Sequence, residues 1–274
     1  MIRSPRQQME LILSLTKRDL KARYKDSALG FFWTLLRPGF LTLVIWVVFS
    51  KIMPVPFGNL PVPFWMLVMI SVLSWHYFLG ALTDATHSLL TNANLLKKVR
   101  LDAEVFPIAS ILANCIHHCL ALCIAIPVLF LGGWRPGLEF LAFPVVVAIE
   151  TMLILGLSFY LSAGNVYYRD VGGALELAGL LLFYITPVIY PVTRAYQSLQ
   201  ESPINGLQVF YMLNPVAAII VTIRRLVLFP QGNVELPDSH LVVYFGISAL
   251  VALGLTISGW LVFRRLSRNF ADEL

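Results

Sequence analysis

Six long runs of apolar residues alternate with short polar connections along this chain. Each run, folded as a helix, is long enough to cross a hydrocarbon layer of ~30 Å. This pattern predicts an all-α polytopic membrane protein with six transmembrane helices in a single domain, 1–274. The predicted spans are Leu35–Ile52, Phe64–Leu82, Phe106–Leu131, Leu141–Ala163, Ala174–Tyr190 and His240–Phe263.

A weaker apolar run, Phe210–Phe229, separates the fifth span from the sixth. It is interrupted by Asn214-Pro215 and carries the pair Arg224-Arg225, which would be costly at the centre of a bilayer. We therefore expect a re-entrant or interfacial hairpin instead of a seventh span. Since prolines also interrupt the end of the fifth span, and broken backbone at membrane depth needs protein or water around it, we expect residues 186–230 to form an external gate.

Two further segments mix apolar and charged residues at helical spacing. The N-terminal segment, 1–30, precedes the first span, and the segment 91–105 connects the second span to the third. Helices with this pattern lie along a membrane surface. We expect an interfacial helix in the first segment and a short amphipathic helix in the second.

The distribution of basic residues predicts the orientation. With the N-terminus in the cytoplasm, 15 of the 20 lysines and arginines fall on the cytoplasmic side of the six-span topology. Cytoplasmic loops carry this excess in membrane proteins. A seven-span topology would place the basic C-terminal residues outside, so six spans with both termini cytoplasmic fit better.

Composition supports the membrane assignment. Hydrophobic residues make up 58% of the chain and charged residues only 13%, whereas soluble domains have about 25% charged residues. The net charge of +5 comes from clusters beside apolar spans. We therefore interpret it as membrane topology and expect no nucleic-acid partner.

No nucleotide-binding motif occurs in the sequence. The G-x-x-x-x-G-K-[ST] phosphate loop is absent, as is the G-x-G-x-x-G fingerprint, and these glycine-rich motifs are the ones that hold phosphates. We expect this chain to bind no cofactor and not to be an enzyme by itself. Any use of ATP and Mg²⁺ would then depend on a separate subunit.

Several residues inside the spans have more than one interpretation. Glu150 could contact a polar substrate, carry a proton, or pair with a hydroxyl or histidine on another helix, because an ionisable group at this depth is expensive. The stripe Cys115, Cys119 and Cys123, near His117 and His118, could hold a metal but is better explained as a packing surface.

Five stretches of the chain carry a family resemblance. The first, KRDLKARYKDSALGFFWTLLRPGF, contains a basic segment, a Ser-x-Leu-Gly-x-x-Trp run and a proline turn. In order along the chain, the stretches are Lys17–Phe40, Asn92–Asn114, Asn165–Gly172, Ile185–Pro191 and Leu213–Leu228. Together they resemble the membrane subunits of type-2 ABC exporters that move polysaccharides such as O-antigen, capsule and teichoic acid.

The resemblance implies a homodimer that associates with two copies of a nucleotide-binding ATPase subunit. It implies export of a lipid-linked glycan from the cytoplasmic leaflet of a bacterial inner membrane. The amphipathic segment between the second and third spans would be the coupling helix that contacts the ATPase. Two alternatives remain: a type-2 ABC permease for a small molecule, and a membrane-embedded lipid-modifying enzyme.

Three sets of residues are candidates for function. The predicted ATPase-coupling residues are Asn94, Leu95, Leu96, Lys97, Lys98, Val99, Arg100, Leu101, Asp102 and Glu104. Those at the approach to the first span are Arg18, Lys21, Arg23, Tyr24, Trp33 and Arg37. Those of the conduit or gate are Trp46, Glu150, Phe183, Tyr184, Pro187, Tyr190, Pro191, Arg224 and Arg225.

Overall fold

The computed structural model describes residues 5–24, 32–54, 60–98, 101–200, 207–229 and 235–273, and this part of the chain contains helices and no strand. The prediction of an all-helical fold is confirmed. The α-helices are α1 (Pro5–Tyr24), α2 (Trp33–Val47), α3 (Phe64–Thr91), α4 (Ala93–Lys98), α5 (Val105–Leu131), α6 (Phe143–Tyr167), α7 (Val171–Ile185), α8 (Val192–Gln200), α9 (Leu207–Met212), α10 (Pro215–Leu228), α11 (Asp238–Leu266) and α12 (Phe270–Glu273). A π-helical segment, Val48–Ile52, extends α2, and 3₁₀ turns at Leu138–Ala142 and Ser267–Asn269 precede α6 and α12.

Helix α3 is the centre of the bundle, in contact with α2, α5, α6, α7 and α10. In its most apolar stretch 78% of the residues are buried, against 17% in α11. Among the described residues, four helices are long and apolar enough to cross a membrane: α3, α5, α6 with its preceding 3₁₀ turn, and α11. The outer three keep much of their apolar surface exposed, which suits contact with lipid or with another subunit.

The two largest differences from the predicted spans are at the ends of α3 and α7. Helix α3 continues to Thr91, nine residues beyond the predicted end at Leu82. In this extension, Asp84 pairs with Arg23 on α1 and accepts from the Asn114 amide on α5. The hydroxyls of Thr86, Ser88 and Thr91 donate to carbonyl oxygens of α3 itself, so these polar residues do not end the helix. Helix α7 ends at Ile185, short of the predicted end at Tyr190, and the following Thr186 is extended.

Helices α6 and α11 approach one another at two glycines. A Cβ atom added to Gly156 would lie 2.7 Å from the backbone of Leu255, and one added to Gly259 would lie 2.6 Å from the carbonyl oxygen of Gly156. The Thr256 hydroxyl donates a hydrogen bond to the carbonyl oxygen of Met152, 2.8 Å away. Small residues allow such close backbone contact between membrane helices.

One end of the bundle, which we call the basic end, is formed by α1, α4 and α12. Leu15, Phe106 and Phe270 belong to a buried cluster that joins α1, α5 and α12 to the ends of α6 and α11. The helix predicted within 1–30 is therefore present as α1, and it packs against the bundle. The opposite end, which carries the 3₁₀ turn before α6 and the end of α10, we call the distal end.

The turn between α6 and α7 is held by Asn165, in the motif NVYYRDVG. Its side-chain amide donates to the carbonyl oxygen of Thr86 at 3.2 Å, and its oxygen accepts from the backbone N–H of Gly172, also at 3.2 Å. A Cβ atom on Gly172 would lie 2.4 Å from the ring of His87. This motif therefore fastens α7 to α3.

Candidate functional site

The predicted coupling segment has an inner and an outer side. Leu96 and Leu101 pack against the buried cluster of the basic end. Asn94, Leu95 and Lys97, in contrast, are exposed. The structure therefore divides the predicted coupling residues: the two leucines stabilise the bundle, and the exposed three can meet a partner. Val99, Arg100 and the side chain of Lys98 lie outside the described residues.

The acidic residues of this segment hold it in place. The side-chain amide of Gln8 on α1 donates to Asp102 Oδ2 at 2.6 Å. The indole N–H of Trp260 on α11 donates to Glu104 Oε2 at 2.8 Å. The segment is thus connected to both the first and the last long helix of the chain.

The residues predicted at the approach to the first span separate into two groups. Arg18 forms an ion pair with its neighbour Asp19 at 2.9 Å, and Lys21 is exposed on α1. Arg23, Trp33 and Arg37 come together around a cavity between α1, α2, α3 and α5. The side chain of Tyr24 lies outside the described residues.

This cavity has a volume of about 580 Å³. Its walls combine basic, imidazole, carboxylate and aromatic side chains, and we call it the basic-end cavity. It is lined by Arg23, Trp33, Arg37, Pro38, Leu73, His76, Tyr77, Gly80, Asp84, Asn114, His117, His118 and Ala121. Its size lies within the usual range for small-molecule and cofactor pockets, ~300–1,000 Å³.

The two arginines of the basic-end cavity have different surroundings. Arg23 forms an ion pair with Asp84 and donates to Asn114 Oδ1 at 3.1 Å, while the Asn114 amide donates to Asp84 Oδ2 at 2.8 Å. Arg37 forms no ion pair or hydrogen bond within the part of the chain that the structure describes. The cavity therefore carries one compensated and one uncompensated cation.

A second polar cluster surrounds Arg224 towards the distal end, and we call it the distal cluster. The Arg224 side chain is fully buried and forms an ion pair with Glu235 at 3.1 Å. It also donates to Ser71 Oγ on α3 at 2.6 Å, and to the carbonyl oxygens of Val188 and Tyr190, both at 3.1 Å. A further donation reaches the carbonyl oxygen of Pro187.

Arg224 therefore satisfies the carbonyl groups left open where the chain leaves α7. Unpaired carbonyls in an apolar environment are expensive. Glu235 completes the arrangement, because its Oε1 accepts the backbone N–H of Val192 at the start of α8 at 2.9 Å. The cluster joins α3, α10, the extended chain after α7 and the residues before α11.

Tyrosines and an asparagine support the same broken segment. The Tyr190 hydroxyl donates to the carbonyl oxygens of Tyr184 and Ile185 at 2.9 and 3.0 Å, and it lies 3.1 Å from the Tyr211 hydroxyl. Asn214 caps α10 through the N–H of Val216 at 3.1 Å. The chain between α7 and α10 is thus held by side chains instead of by regular helix.

The neighbouring Arg225 has a different environment from Arg224. It pairs with Asp238 at 2.9 Å, and the Asp238 side chain is half exposed. Pro187 and Pro191 are buried beside the distal cluster. Of the predicted gate residues, Pro187, Tyr190, Pro191 and Arg224 are therefore brought together.

The remaining predicted conduit residues lie elsewhere. Glu150 is buried inside the subunit, and both of its carboxylate oxygens lack a hydrogen-bond partner among the described residues. Phe183 packs edge-on against Trp75 at 5.7 Å between ring centroids, and Tyr184 is exposed. Trp46 is half-buried on α2.

The cysteine stripe on α5 faces two ways. Cys119 and Cys123 are exposed and Cys115 is half-buried. No group of three or more His, Cys, Asp or Glu side chains in the described residues has an arrangement that could hold a metal ion. Instead, His118 stacks on Tyr77 with ring centroids 4.7 Å apart.

Several residues of these clusters were missed from the sequence. Asp84 lies just beyond the predicted end of its span, so it did not stand out as a buried charge, and His76 and Ser71 lie inside an otherwise apolar run. Glu235 lies in a short polar connection that would ordinarily be solvated. An ionisable residue within a predicted span indicates a functional site by itself. Of these residues, only His76 is an ionisable residue inside a predicted span.

Comparison with known proteins places these features in a family. Residues 10–228 match the ABC-2 type transporter family. The chain is 29% identical over 274 residues to an O-antigen export system permease protein of Myxococcus xanthus, covering 100% of this chain and 99% of that one. Two permease proteins of the same description from Klebsiella pneumoniae are each 26% identical over 266 residues, covering 97% of this chain and 95% of theirs.

The family match covers most of the chain, including both polar clusters except Glu235. The apolar helices agree with it, since four of them have the length and composition of membrane spans. The resemblance drawn from the five sequence stretches is confirmed. This chain is an integral membrane protein and belongs to the ABC-2 type transporter family.

Proposed function

We propose that this protein is the transmembrane subunit of an ATP-driven exporter. Its cargo would be a lipid-linked polysaccharide of the O-antigen kind, moved from the cytoplasmic leaflet across a bacterial inner membrane. The observation that carries this proposal is the similarity, over 97% or more of the chain, to proteins described as O-antigen export permeases.

The energy for export would come from a separate ATPase that binds ATP and Mg²⁺. Two copies of that subunit would associate with two copies of this chain. The exposed outer side of the coupling segment supports this arrangement, because it presents apolar and basic side chains to a partner while the inner side packs against the bundle. These exposed residues are Asn94, Leu95 and Lys97. Force applied there would pass through Leu96 and Leu101 into the bundle.

The proposed topology has six spans with both termini in the cytoplasm. Helix α2 and its π-helical extension give 20 continuous helical residues, about 30 Å of rise, which would serve as the first span. Helix α7 would be the fifth. Helix α10, with 14 residues, is about as short as α7 but carries the buried ion pair of Arg224, which supports a re-entrant position and an external gate in 186–230.

Reconstitution tests this function directly. The chain and its ATPase would be incorporated into proteoliposomes with a lipid-linked O-antigen in the outer leaflet, and glycan reaching the lumen would be measured by protection from a glycosidase. We expect ATP-dependent protection that needs both subunits. If the glycolipid neither moves nor stimulates ATP hydrolysis while small apolar compounds do both, the cargo is a small molecule and the proposal is wrong.

A further inference from the structure

Arg37 borders the basic-end cavity near the start of α2, where its side chain is exposed and forms no ion pair with the other described residues. It lines the same cavity as His76 and His117. These histidines are each near the middle of a long helix, in α3 and α5 respectively. A cavity that carries an unpaired cation attracts anions.

The other charges of the cavity do not supply such an anion. Asp84 is engaged by Arg23 and by the Asn114 amide, so its charge is already compensated. The described lining residues therefore sum to one excess positive charge. An anionic ligand would complete the site, and a guanidinium binds phosphate oxygens in a two-pronged geometry.

The remaining lining groups indicate what is attached to the anion. His76 Nδ1 lies 3.0 Å from the carbonyl oxygen of Val72. A carbonyl only accepts, so Nδ1 carries the proton and Nε2 of the neutral ring is left as an acceptor. His76 can thus receive a hydroxyl hydrogen, and the exposed Trp33 adds an apolar aromatic wall.

The inner end of the cavity has an unfilled polar position as well. His118 is 3% exposed, and its Nε2 has no hydrogen-bond partner among the described residues. Buried polar atoms are ordinarily hydrogen-bonded. A ligand that brings hydroxyl groups past Arg37 would provide the missing partner.

We infer that the basic-end cavity binds the phosphate and the adjoining sugar of a lipid-linked glycan. Arg37 binds the phosphate, His76 accepts a sugar hydroxyl hydrogen, and Trp33 packs against the apolar face of the sugar ring. Arg23, Asp84 and Asn114 form the fixed wall that keeps the cavity open towards α1. This inference rests on the proposed function, because it identifies which part of the exported molecule this subunit holds.

Binding to the purified complex of this chain and its ATPase in lipid nanodiscs tests the inference. The probe is a polyprenyl diphosphate carrying one N-acetylglucosamine, measured by native mass spectrometry over a range of concentrations. We expect Arg37→Gln to weaken binding at least tenfold, and Arg37→Lys to weaken it less. Arg265→Gln is the matched control, since Arg265 is exposed at the end of α11 outside the cavity, and it should leave binding unchanged.

Three further probes identify the source of the phosphate. Polyprenyl phosphate without a sugar should bind more weakly than the glycolipid, and His76→Ala should abolish that difference. Phosphatidylglycerol binding as tightly as the glycolipid, with the same dependence on Arg37, would show a general lipid site and overturn the inference. Inorganic phosphate binding as tightly as either lipid would overturn it also.

The outcome also separates this inference from the proposed function. If the wild-type complex exports glycan and Arg37→Gln binds the glycolipid equally well, the cavity assignment is wrong while the exporter assignment stands. If the wild-type complex binds no glycolipid and transports a small molecule, the exporter assignment fails first. The thermal denaturation midpoint of Arg37→Gln, expected to equal that of wild type, excludes misfolding as the cause of lost binding.

Discussion

Two arginines of the helical bundle, one buried and one exposed beside a cavity, have opposite surroundings. Arg224 is fully buried and donates to Ser71, Glu235 and three backbone carbonyls. Arg37 faces the basic-end cavity and has no such partner among the described residues. Arg224 is held by partners within the fold, whereas Arg37 is available to a ligand.

The difference shows how to separate structural from functional charges in a membrane protein. A buried ion pair whose hydrogen bonds are all made contributes little net stability, but losing one partner is severe. A cation that borders a cavity costs less because water or a ligand can reach it. Both burial and the number of hydrogen-bond partners distinguish Arg224 of the distal cluster from Arg37 of the basic-end cavity.

The largest effect should follow the loss of Arg224. Arg224→Met breaks the buried ion pair with Glu235 and removes the donor to the carbonyls of Pro187 and Tyr190. We expect destabilisation of about 3–5 kcal/mol, measured by denaturation of the purified protein in detergent. Combining it with Glu235→Leu should restore much of this loss, since the pair is then removed together.

Arg225→Met is the control for that experiment. Its partner Asp238 is half exposed, and pairs of this kind contribute about 0–1 kcal/mol. If Arg225→Met destabilises the protein as much as Arg224→Met does, the contrast between the saturated and the solvated arginine is lost.

A smaller effect is expected at the coupling segment. Leu96→Ser removes a half-buried side chain from the cluster at the basic end, and a partial core truncation of this kind should cost about 1–2 kcal/mol. Leu95→Ser changes an exposed neighbour and should leave stability unchanged. It should nevertheless lower the ATP hydrolysis that cargo stimulates in the complex with the ATPase.

The reverse pattern would refute the division of this segment. If Leu95→Ser destabilises the chain and Leu96→Ser alters only the stimulated hydrolysis, the inner and outer sides have been assigned the wrong way round.

A substitution at Asp84 tests the basic-end cavity by adding positive charge to it instead of removing it. Asp84→Asn releases Arg23 and adds a second uncompensated cation, so glycolipid binding should strengthen about threefold to tenfold. Because both side chains of the pair are substantially exposed, the stability cost should stay below about 1 kcal/mol. Weaker binding would mean that Asp84 itself contacts the ligand. Native mass spectrometry with the same glycolipid gives the affinity.

The smallest effect should occur at Glu150. Its carboxylate oxygens have no described partner, yet it does not line the basic-end cavity. Glu150→Gln keeps the volume and removes no observed hydrogen bond, so we expect a change in stability below about 1 kcal/mol and normal export. A loss of export in a stable Glu150→Gln protein would show that an unpartnered acid matters here even without a cavity.

The sequence predicted the helices better than the sites. Apolar length alone located α3, α5, α6 and α11, because bilayer thickness imposes a minimum run. The apolar run ended at Leu82 and so underestimated the length of α3, which continues through Asp84 because that side chain pairs with Arg23, 61 residues earlier. Periodicity describes one helix and contains no information on which polar groups meet across helices.

The candidate residues show the same limit. Arg224 was identified because two arginines in an apolar run are conspicuous, but its partner Glu235 looked like an ordinary loop residue. Arg23, Trp33 and Arg37 were grouped from a family motif, yet the histidines opposite them come from α3 and α5. Pairing across 153 residues, as between Arg224 and Ser71, depends on the packed arrangement and could not be derived from spacing.

Helix α3 takes part in both polar clusters, with Ser71 in one and Asp84 in the other. The two positions are 13 residues apart, about 20 Å along the axis and on nearly opposite faces. An α-helix of this length is stiff, so α3 is a rigid element that the two clusters share. A rotation or translation of α3 would therefore displace Ser71 and Asp84 together, so a substitution that shifts α3 at one cluster should also affect the other.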